Sequence, residues 1–425
     1  VLRHSLRRSL RHSFTAGLAL ATVLVLPGAA NAATPTPQQA AEYGAGWLGR
    51  QIDPTGYVPS LGGPDYNTTA LAVLALVAAR VGEQQAAAAT AYLMAHVDAY
   101  VVSGSDDRPA ALATLVLVAH ARGLDPSALV TRLLATKQAS GADAGLFGAR
   151  DATYDGAYRQ ALSLLALAAV GQTDAAAVGW LKAEQCADGG WMGNRPDQAA
   201  PCPAFDMTTF VGEDSNGTAL ATQALAALGE TPVFDPLGFL ADAQNDDGGF
   251  AFVPTFGSDA NSTALAIQAL IASGESLADW AAPDGTPYAY LLSLQLGNPP
   301  AAKAGAFAFQ GGATLTANAF ATVQAVPALA GRAFPLAPAE LSRTLPLLPA
   351  APAPAPTPSV RPSVTAAPTA TPSPVPRVIP EGDQLPDTGF GQKPWDATGL
   401  AVFGLGIIGY GVLALGAARL VRRRG

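Results

Sequence analysis

Thr218-Ala-Leu-Ala-Thr-Gln-Ala-Leu225 is one of six versions of a single apolar helix pattern in this chain. The others begin at Thr69, Ala110, Gln160, Thr263 and Asn318, so that Ala70, Ala111, Ala161, Ala219, Ala264 and Ala319 are read as equivalent positions. The intervals between them are uneven while the helix pattern is constant, which places the insertions in loops. Six helix pairs stacked in series can close into a ring, and the residues just ahead of each repeated helix then gather at one rim.

Each repeat has two halves. The repeated helix is alanine-rich and apolar almost all round, as an element packed on every side must be. The segment before it, for example Val178-Gly-Trp-Leu-Lys-Ala-Glu-Gln185, mixes charged residues into an apolar stripe and reads as an outer helix facing water. Between the halves stand turns of one kind: Asp53-Pro-Thr-Gly-Tyr57, Ala144-Gly-Leu-Phe147, Asp188-Gly-Gly-Trp191, Asp247-Gly-Gly-Phe250 and Ala304-Gly-Ala-Phe307. Glycine allows a tight turn that aims the following aromatic inward. The second repeat, around residues 95–108, lacks this element.

The two ends read as address signals. Arg3, Arg7, Arg8 and Arg11 precede an apolar run, and Ala30-Asn-Ala32 closes it, the pattern of a secretory signal peptide over residues 1–32. That run is short of the roughly 20 residues a membrane span needs. Arg7-Arg8 also admits twin-arginine export. Residues 341–384 are dominated by Pro, Ala, Thr, Ser and Val, a composition that buries no core and reads as a disordered, extended stalk.

Beyond the stalk come Leu385, Pro386, Asp387, Thr388 and Gly389, then an apolar helix long enough to cross a membrane over 397–418, then a basic tail ending the chain at 425. Pentapeptide, span and tail over residues 385–425 together resemble the cell-wall sorting signal of Gram-positive surface proteins. The resemblance implies that a sortase recognises Leu385, Pro386 and Asp387, attacks the carbonyl of Thr388, releases Gly389 onward and links the chain to peptidoglycan.

The chain holds 24 basic and 32 acidic side chains. Removing residues 1–32 and those beyond Thr388 takes away nine basic groups and one acidic group, so the remainder carries a net charge near −16. Such a balance argues against nucleic acid and anionic lipid as partners and favours neutral or cationic ligands. Cys186 and Cys202 bracket a loop in the fourth repeat. In an exported protein they read as a disulfide, with a metal site as the alternative. His96 and His120 sit in helical, alanine-rich surroundings and read as helix residues rather than ligands.

Gln185-Cys-Ala-Asp-Gly-Gly-Trp191 and Gln244-Asn-Asp-Asp-Gly-Gly-Phe250 resemble the Gln/Trp repeat motifs of squalene-hopene cyclases. Over roughly residues 38–329 the array resembles the α/α toroid of terpenoid cyclases, protein prenyltransferase β-subunits, thioester domains of complement-like proteins and the α-domain of cobalamin carriers. The resemblance implies an all-α, six-repeat (α/α)6 toroid over residues 33–340. It implies no single activity, because these families do unlike things on one scaffold.

The chemistry of each relative can be held against the residues. Class II terpene cyclases carry Asp-x-Asp-Asp-Thr-Ala ahead of an inner helix, where the middle acid protonates an alkene. The matching stretches here are Asp65-Tyr-Asn-Thr-Thr-Ala70, Asp214-Ser-Asn-Gly-Thr-Ala219 and Asp259-Ala-Asn-Ser-Thr-Ala264, with Asn67, Asn216 and Asn261 in the middle place. An amide has no proton to donate. The Asp-x-Cys and later histidine that hold zinc in prenyltransferases are missing, as is the Gly-Cys-Gly-Glu-Gln of thioester domains. The cobalamin carriers' second domain has no counterpart after Pro335.

The expectation is therefore a wall-anchored ligand-binding or interaction module with no cofactor, whose ligand is a small molecule of isoprenoid, cobalamin-like or glycan type. The alternative is an enzyme of the cyclase-like class, or a glycan-active hydrolase or lyase, using rim carboxylates. Candidate catalytic groups are Asp65, Asp214 and Asp259, with Asp155, Glu213, Tyr66, Tyr154 and Tyr158 on the same rim. Candidate ligand-binding residues are Tyr57, Asn67, Trp191, Asn216, Phe250 and Asn261, with Phe147 and Phe307 in the corresponding turns. Each has a plainer reading: the acids as helix caps and the aromatics as glue between repeats.

Overall fold

A computed structural model describes residues 34–150, 156–193, 195, 200–206 and 211–350. The signal peptide over 1–32 and the stalk from residue 351 lie outside these residues. So do the sorting pentapeptide of Leu385, Pro386, Asp387, Thr388 and Gly389, the membrane helix over 397–418, and Tyr154 and Asp155 of the rim. Among the described residues no helix is long and apolar enough to cross a membrane.

The chain runs as α1 (Pro37–Gln51), α2 (Tyr66–Ala79), α3 (Glu83–Ala95), a short α4 (Val97–Val101), α5 (Pro109–Ala121), α6 (Ser127–Ala135), α7 (Gly156–Ala169), α8 (Ala175–Ala183), α9 (Ser215–Ala227), α10 (Pro236–Asp242), α11 (Ala260–Ala272), α12 (Pro287–Ser293) and α13 (Ala319–Leu329). Helices α2, α5, α7, α9, α11 and α13 form an inner ring. Each packs on the next, and α13 returns to pack on α2. The outer helices α1, α3, α6, α8, α10 and α12 sit outside it, α3 to α12 each mainly against the preceding inner helix, while α1 lies on both α13 and α2. This is the (α/α)6 toroid that the repeats predict.

The inner helices explain their own composition. Surrounded by two inner neighbours and an outer helix, they bury Ala70, Ala72, Leu74 and Leu76 on α2 and Ala264, Leu265, Ile267 and Leu270 on α11 almost completely. Full burial of a Leu or Ile contributes about 1.5–3 kcal/mol, while alanine lets backbones approach closely. Small antiparallel ladders lead into three of the inner helices: β1–β2 (Val58–Ser60, Gly63–Asp65), β3–β4 (Val102–Ser103, Asp106–Asp107) and β5–β6 (Trp191–Met192, Glu213–Asp214). The second of these fills the place where the glycine-aromatic element is missing.

The recurring pieces within each repeat form one hydrogen-bonded device. Thr69, Thr218, Thr263 and Thr322 each accept, through Oγ1, the backbone N–H of Val58, Trp191, Phe250 and Phe307, at 2.8–2.9 Å. In the third repeat Gln160 takes the threonine's place, its Oε1 accepting from Phe147 N at 2.9 Å. Two sequence registers need correction here. The sixth threonine is Thr322, four residues later than the reading that aligns Asn318 with Thr218. The first aromatic position belongs to Val58, so Tyr57 stands one residue early and packs instead on the ring of Tyr92, with centroids 5.0 Å apart.

The turn glycines join neighbouring repeats. Gly189 has φ +101°, and a Cβ there would stand 2.0 Å from the carbonyl oxygen of Asp235, the residue that caps α10. Side-chain amides clasp the same junctions: Gln185 Nε2 donates to Gly189 O and Phe234 O, and Gln244 Nε2 to Gly248 O and Trp280 O. In the sixth repeat Gln295 Nε2 donates to Gly305 O and, at 2.9 Å, to Ala40 O of α1, which closes the circle.

After α13 the chain crosses one face of the ring. Phe334 N donates to Gln223 Oε1 on α9, Ser342 N to Arg80 O, Gly82 N to Thr344 O, and Asn298 Nδ2 to Leu348 O. Phe334, Leu341 and Leu345 pack on the core and Leu336 is buried. Residues 341–348, assigned from composition to the stalk, are thus docked on the ring because Leu341 and Leu345 reach its apolar surface. Arg80 and Gln223 stand at or near the C-terminal ends of α2 and α9, so this strap lies on the face opposite the Asp-x-Asn rim.

Candidate functional site at the mouth of the ring

The lead acids of the three Asp-x-Asn stretches are N-caps. Asp65 accepts from Thr68 N at 2.9 Å, Asp214 from Gly217 N at 2.7 Å, and Asp259 from Ser262 N at 2.8 Å and Ser262 Oγ at 2.7 Å. Asn318 does the same for Ala321 N at 2.8 Å, a fourth cap that the sequence register of the sixth repeat hides. Each satisfies an N–H that the first helical turn leaves without a partner. Burial pushes the Asp214 carboxyl up to about 7 and that of Asp259 up to about 6, against the opposing pull of the cap N–H groups.

Glu213, next to Asp214, belongs to a different cluster. Burial pushes its carboxyl up to about 8, the neighbouring Asp188 adding to the rise and Arg195 pulling the other way. The structure joins Cys186 and Cys202 in a disulfide with Cα atoms 5.9 Å apart. Both sulfurs and a Glu213 oxygen lie within 4.8 Å of one another. With the sulfurs bonded to each other, two thiolate ligands are not on offer in this form, which answers the metal alternative for these cysteines.

The aromatics of the turns are interior groups. Trp191, Phe147, Phe250 and Phe307 have no exposed surface, and Trp191 Nε1 donates to Leu181 O at 2.8 Å. Trp191 and Phe250, offered by the sequence as ligand contacts, therefore act as packing between repeats, held by the threonine bond to their own backbone. Tyr57 joins a column of rings in which Tyr92 stacks on His96 at 4.1 Å and Tyr66 stacks on Tyr92 and Tyr100.

What remains for the mouth follows from helix geometry. The threonine of each inner helix turns back to its own turn, and at 3.6 residues per turn the residue two positions earlier points about 200° away, toward the centre of the ring. These residues are Asn67, Tyr158, Asn216, Asn261 and Phe320. Four residues deeper on the same stripe stand Leu71, Leu162, Leu220, Leu265 and Gln324, and three deeper again Leu74, Leu165, Gln223, Gln268 and Pro327. Exposure supports the assignment: along otherwise buried helices, Asn67, Leu71, Leu162 and Phe320 are half-buried rather than buried.

The stripe divides the ring in two. Below the first position repeats one and three present only leucine, at Leu71, Leu74, Leu162 and Leu165, whereas repeats four to six each add a glutamine beside Leu220, Leu265 and Pro327. Asn216 Oδ1, Asn261 Oδ1, Gln268 Oε1, Gln324 Oε1 and Gln223 Nε2 are buried without a hydrogen-bond partner among the described residues. Leaving one such group unmet costs about 1–3 kcal/mol. Asn67 differs, since its Oδ1 accepts from Tyr100 OH at 3.0 Å. Tyr158 is close enough to Asp214 and Tyr100 for their charges to raise its phenol, after burial as the main cause.

Sequence reasoning reaches Asn67, Asn216 and Asn261 but misses Gln223, Gln268 and Gln324. For Gln223 and Gln268 the signal is present, since a Gln seven residues after an Asn in a largely apolar helix marks a shared face, whereas Gln324 has no Asn at that spacing.

No family model matches the chain, and no curated protein matches it. Among solved structures it is similar to a Candida albicans protein geranylgeranyltransferase-I complexed with GGPP, at 11% sequence identity and a TM-score of 0.43, over 68% of this chain and 90% of that chain.

Proposed function

We propose that the toroid is a ligand-binding head, displayed outside the cell on a wall-anchored stalk, and that its ligand enters the ring mouth at the N-terminal ends of the inner helices. The observation that carries this reading is the set of buried carboxamide atoms without partners among the described residues on the inner helices of repeats four to six. A ring needing only to fold would place apolar side chains or mutually bonded amides there. The cap bonds of Asp65, Asp214 and Asp259 support binding over acid–base catalysis, because each acid already serves a helix end. Anchoring by a sortase to peptidoglycan rests on the sequence pattern of Leu385, Pro386, Asp387, Thr388 and Gly389 with the apolar run and basic tail behind it.

The test uses Nile red, a neutral dye with an apolar body, titrated against the full chain. Saturable binding is expected, and its loss in the Leu71→Trp, Leu162→Trp double variant, which fills the mouth from its apolar side. No saturable binding, or equal binding by a folded double variant, would refute the proposal.

A further inference from the structure

The loop of the fourth repeat brings two cysteines and a carboxylate to one point, away from the stripe at the ring mouth. Cys186 Sγ, Cys202 Sγ and a Glu213 oxygen lie within 4.8 Å of one another. Cys186 is 1% exposed, and Cys202 and Glu213 are half-buried. In the oxidised chain the two sulfurs satisfy each other. Reduction changes what the same atoms offer. Two thiolates and a carboxylate form a zinc-type donor set, because soft sulfur selects zinc over calcium or magnesium, which take oxygen ligands. Two thiolates on one zinc, each about 2.3 Å from it, stand about 3.8 Å apart. With their Cα atoms 5.9 Å apart, Cys186 and Cys202 reach that separation by side-chain rotation.

The three positions are held by bonds that do not pass through the disulfide. Cys186 stands in the glycine turn, where Cys186 N donates to Gly190 O at 2.9 Å and Gly189 N to Cys186 O at 3.0 Å. Glu213 lies on β6, laddered against Met192 of β5. Arg195 ties the two sides of the loop together: its Nη2 donates to Ala200 O at 2.7 Å and its Nη1 to Gln185 O at 2.8 Å. The residue two before Cys202 is thereby bridged to the residue just before Cys186. Asp206 N donates to Val211 O at 2.8 Å and closes the segment between Cys202 and Glu213. A reduced loop kept in this shape presents its ligands together, so little ordering is left to oppose binding. Two thiolates and Glu213 bring three negative charges against the two positive charges of zinc, and Arg195, whose charge reaches Glu213, offsets the remainder.

We infer that the reduced chain binds one zinc ion through Cys186 Sγ, Cys202 Sγ and a Glu213 oxygen, with water in the fourth place, so that zinc and the disulfide are alternative clasps of one loop. A thiol or phosphine reductant gives two electrons to the disulfide, which breaks the sulfur–sulfur bond and leaves two thiols. Zinc then takes the place of the two thiol protons, which pass to solvent. Reoxidation reverses this: the sulfurs give up two electrons, rejoin and release the metal.

The full chain is reduced with tris(carboxyethyl)phosphine under nitrogen, freed of reductant and titrated with Co²⁺. One equivalent is expected to raise a sulfur-to-cobalt charge-transfer band in the near ultraviolet, and one equivalent of Zn²⁺ to abolish it. The unreduced chain should give no band, and Ca²⁺ should displace nothing. Glu213→Gln should weaken Co²⁺ at least tenfold with two thiols still titratable, which separates a ligand role from loss of the cysteines. Zn²⁺ should also raise the melting temperature of the reduced chain and leave that of the oxidised chain unchanged. A reduced chain that takes up no cobalt, whether folded or not, an equal band from the unreduced chain, or unaltered affinity in Glu213→Gln would overturn the inference.

Discussion

Replacing Asp259 by Asn isolates the cost of a buried charge at the head of α11. Asp259 is 2% exposed, and both of its oxygens are engaged by Ser262, yet its carboxyl is pushed up to about 6 from an ordinary 3.8. The folded state therefore holds the proton more strongly than the unfolded chain. Below the ordinary value both states are protonated and the group contributes nothing. Between about 4 and 6 the unfolded chain ionises first and stability falls, and above 6 the full penalty, about 3 kcal/mol, is present. Asn keeps the shape and can still accept from Ser262 N, but cannot ionise. In urea titrations of wild type and Asp259→Asn, the variant should be within about 1 kcal/mol at pH 4 and more stable by about 2–3 kcal/mol at pH 8. A variant that is less stable by the same amount at both pH values would show that the carboxylate's bonds outweigh its burial, and would refute the reasoning.

Three other perturbations test separate parts of the account. Gly189→Ala forces a Cβ to within 2.0 Å of Asp235 O at a φ of +101°, so it should lower stability by about 3 kcal/mol or more in urea, and a loss below about 1 kcal/mol would contradict the close junction. Reduction of the Cys186–Cys202 disulfide, or Cys186→Ser with Cys202→Ser, opens a loop of sequence separation 16 and should cost about 3 kcal/mol, read as a lower melting temperature. Intact mass of the unreduced protein should lack two thiol hydrogens, and two alkylatable thiols would refute the pairing. Thr388→Ala should leave the chain in membranes rather than on wall fragments, and unchanged wall linkage would sink the sorting proposal.

Much of the ring is legible in the sequence because its inner helices repeat. A buried helix tolerates little but alanine and leucine, and the Thr-Ala-Leu start recurs because the threonine has a job, closing the preceding turn. The same economy misleads in the register of the sixth copy. Asn318-Ala-Phe-Ala reads like a helix start one turn early, and only the Thr322 bond to Phe307 N fixes its place. Tyr57 follows the turn glycine and so reads as the inward aromatic, but the bonded position falls to Val58.

The site is less legible, for a physical reason. Whether Asn216 caps, packs or faces a lumen depends on which direction the helix presents it, and that direction is set by ring closure between residues far apart in sequence. The strap is another such case. Its prolines read as stalk, while Leu345 docks only because Gly49 and Gly82 leave room on the ring, where a Cβ would meet it at 2.4 and 2.8 Å. The Glu213 and Asp188 pairing spans the disulfide loop and has no local pattern at all.

The ring mouth as binding site is tested most directly by amide hydrogen exchange of the full chain with and without saturating Nile red. Slowing is predicted at the starts of α2, α7, α9 and α11, where Asn67, Leu71, Tyr158, Leu162, Asn216 and Asn261 face the centre. Slowing confined to the outer helices or to the strap, or none at dye concentrations that give saturated fluorescence, would contradict it.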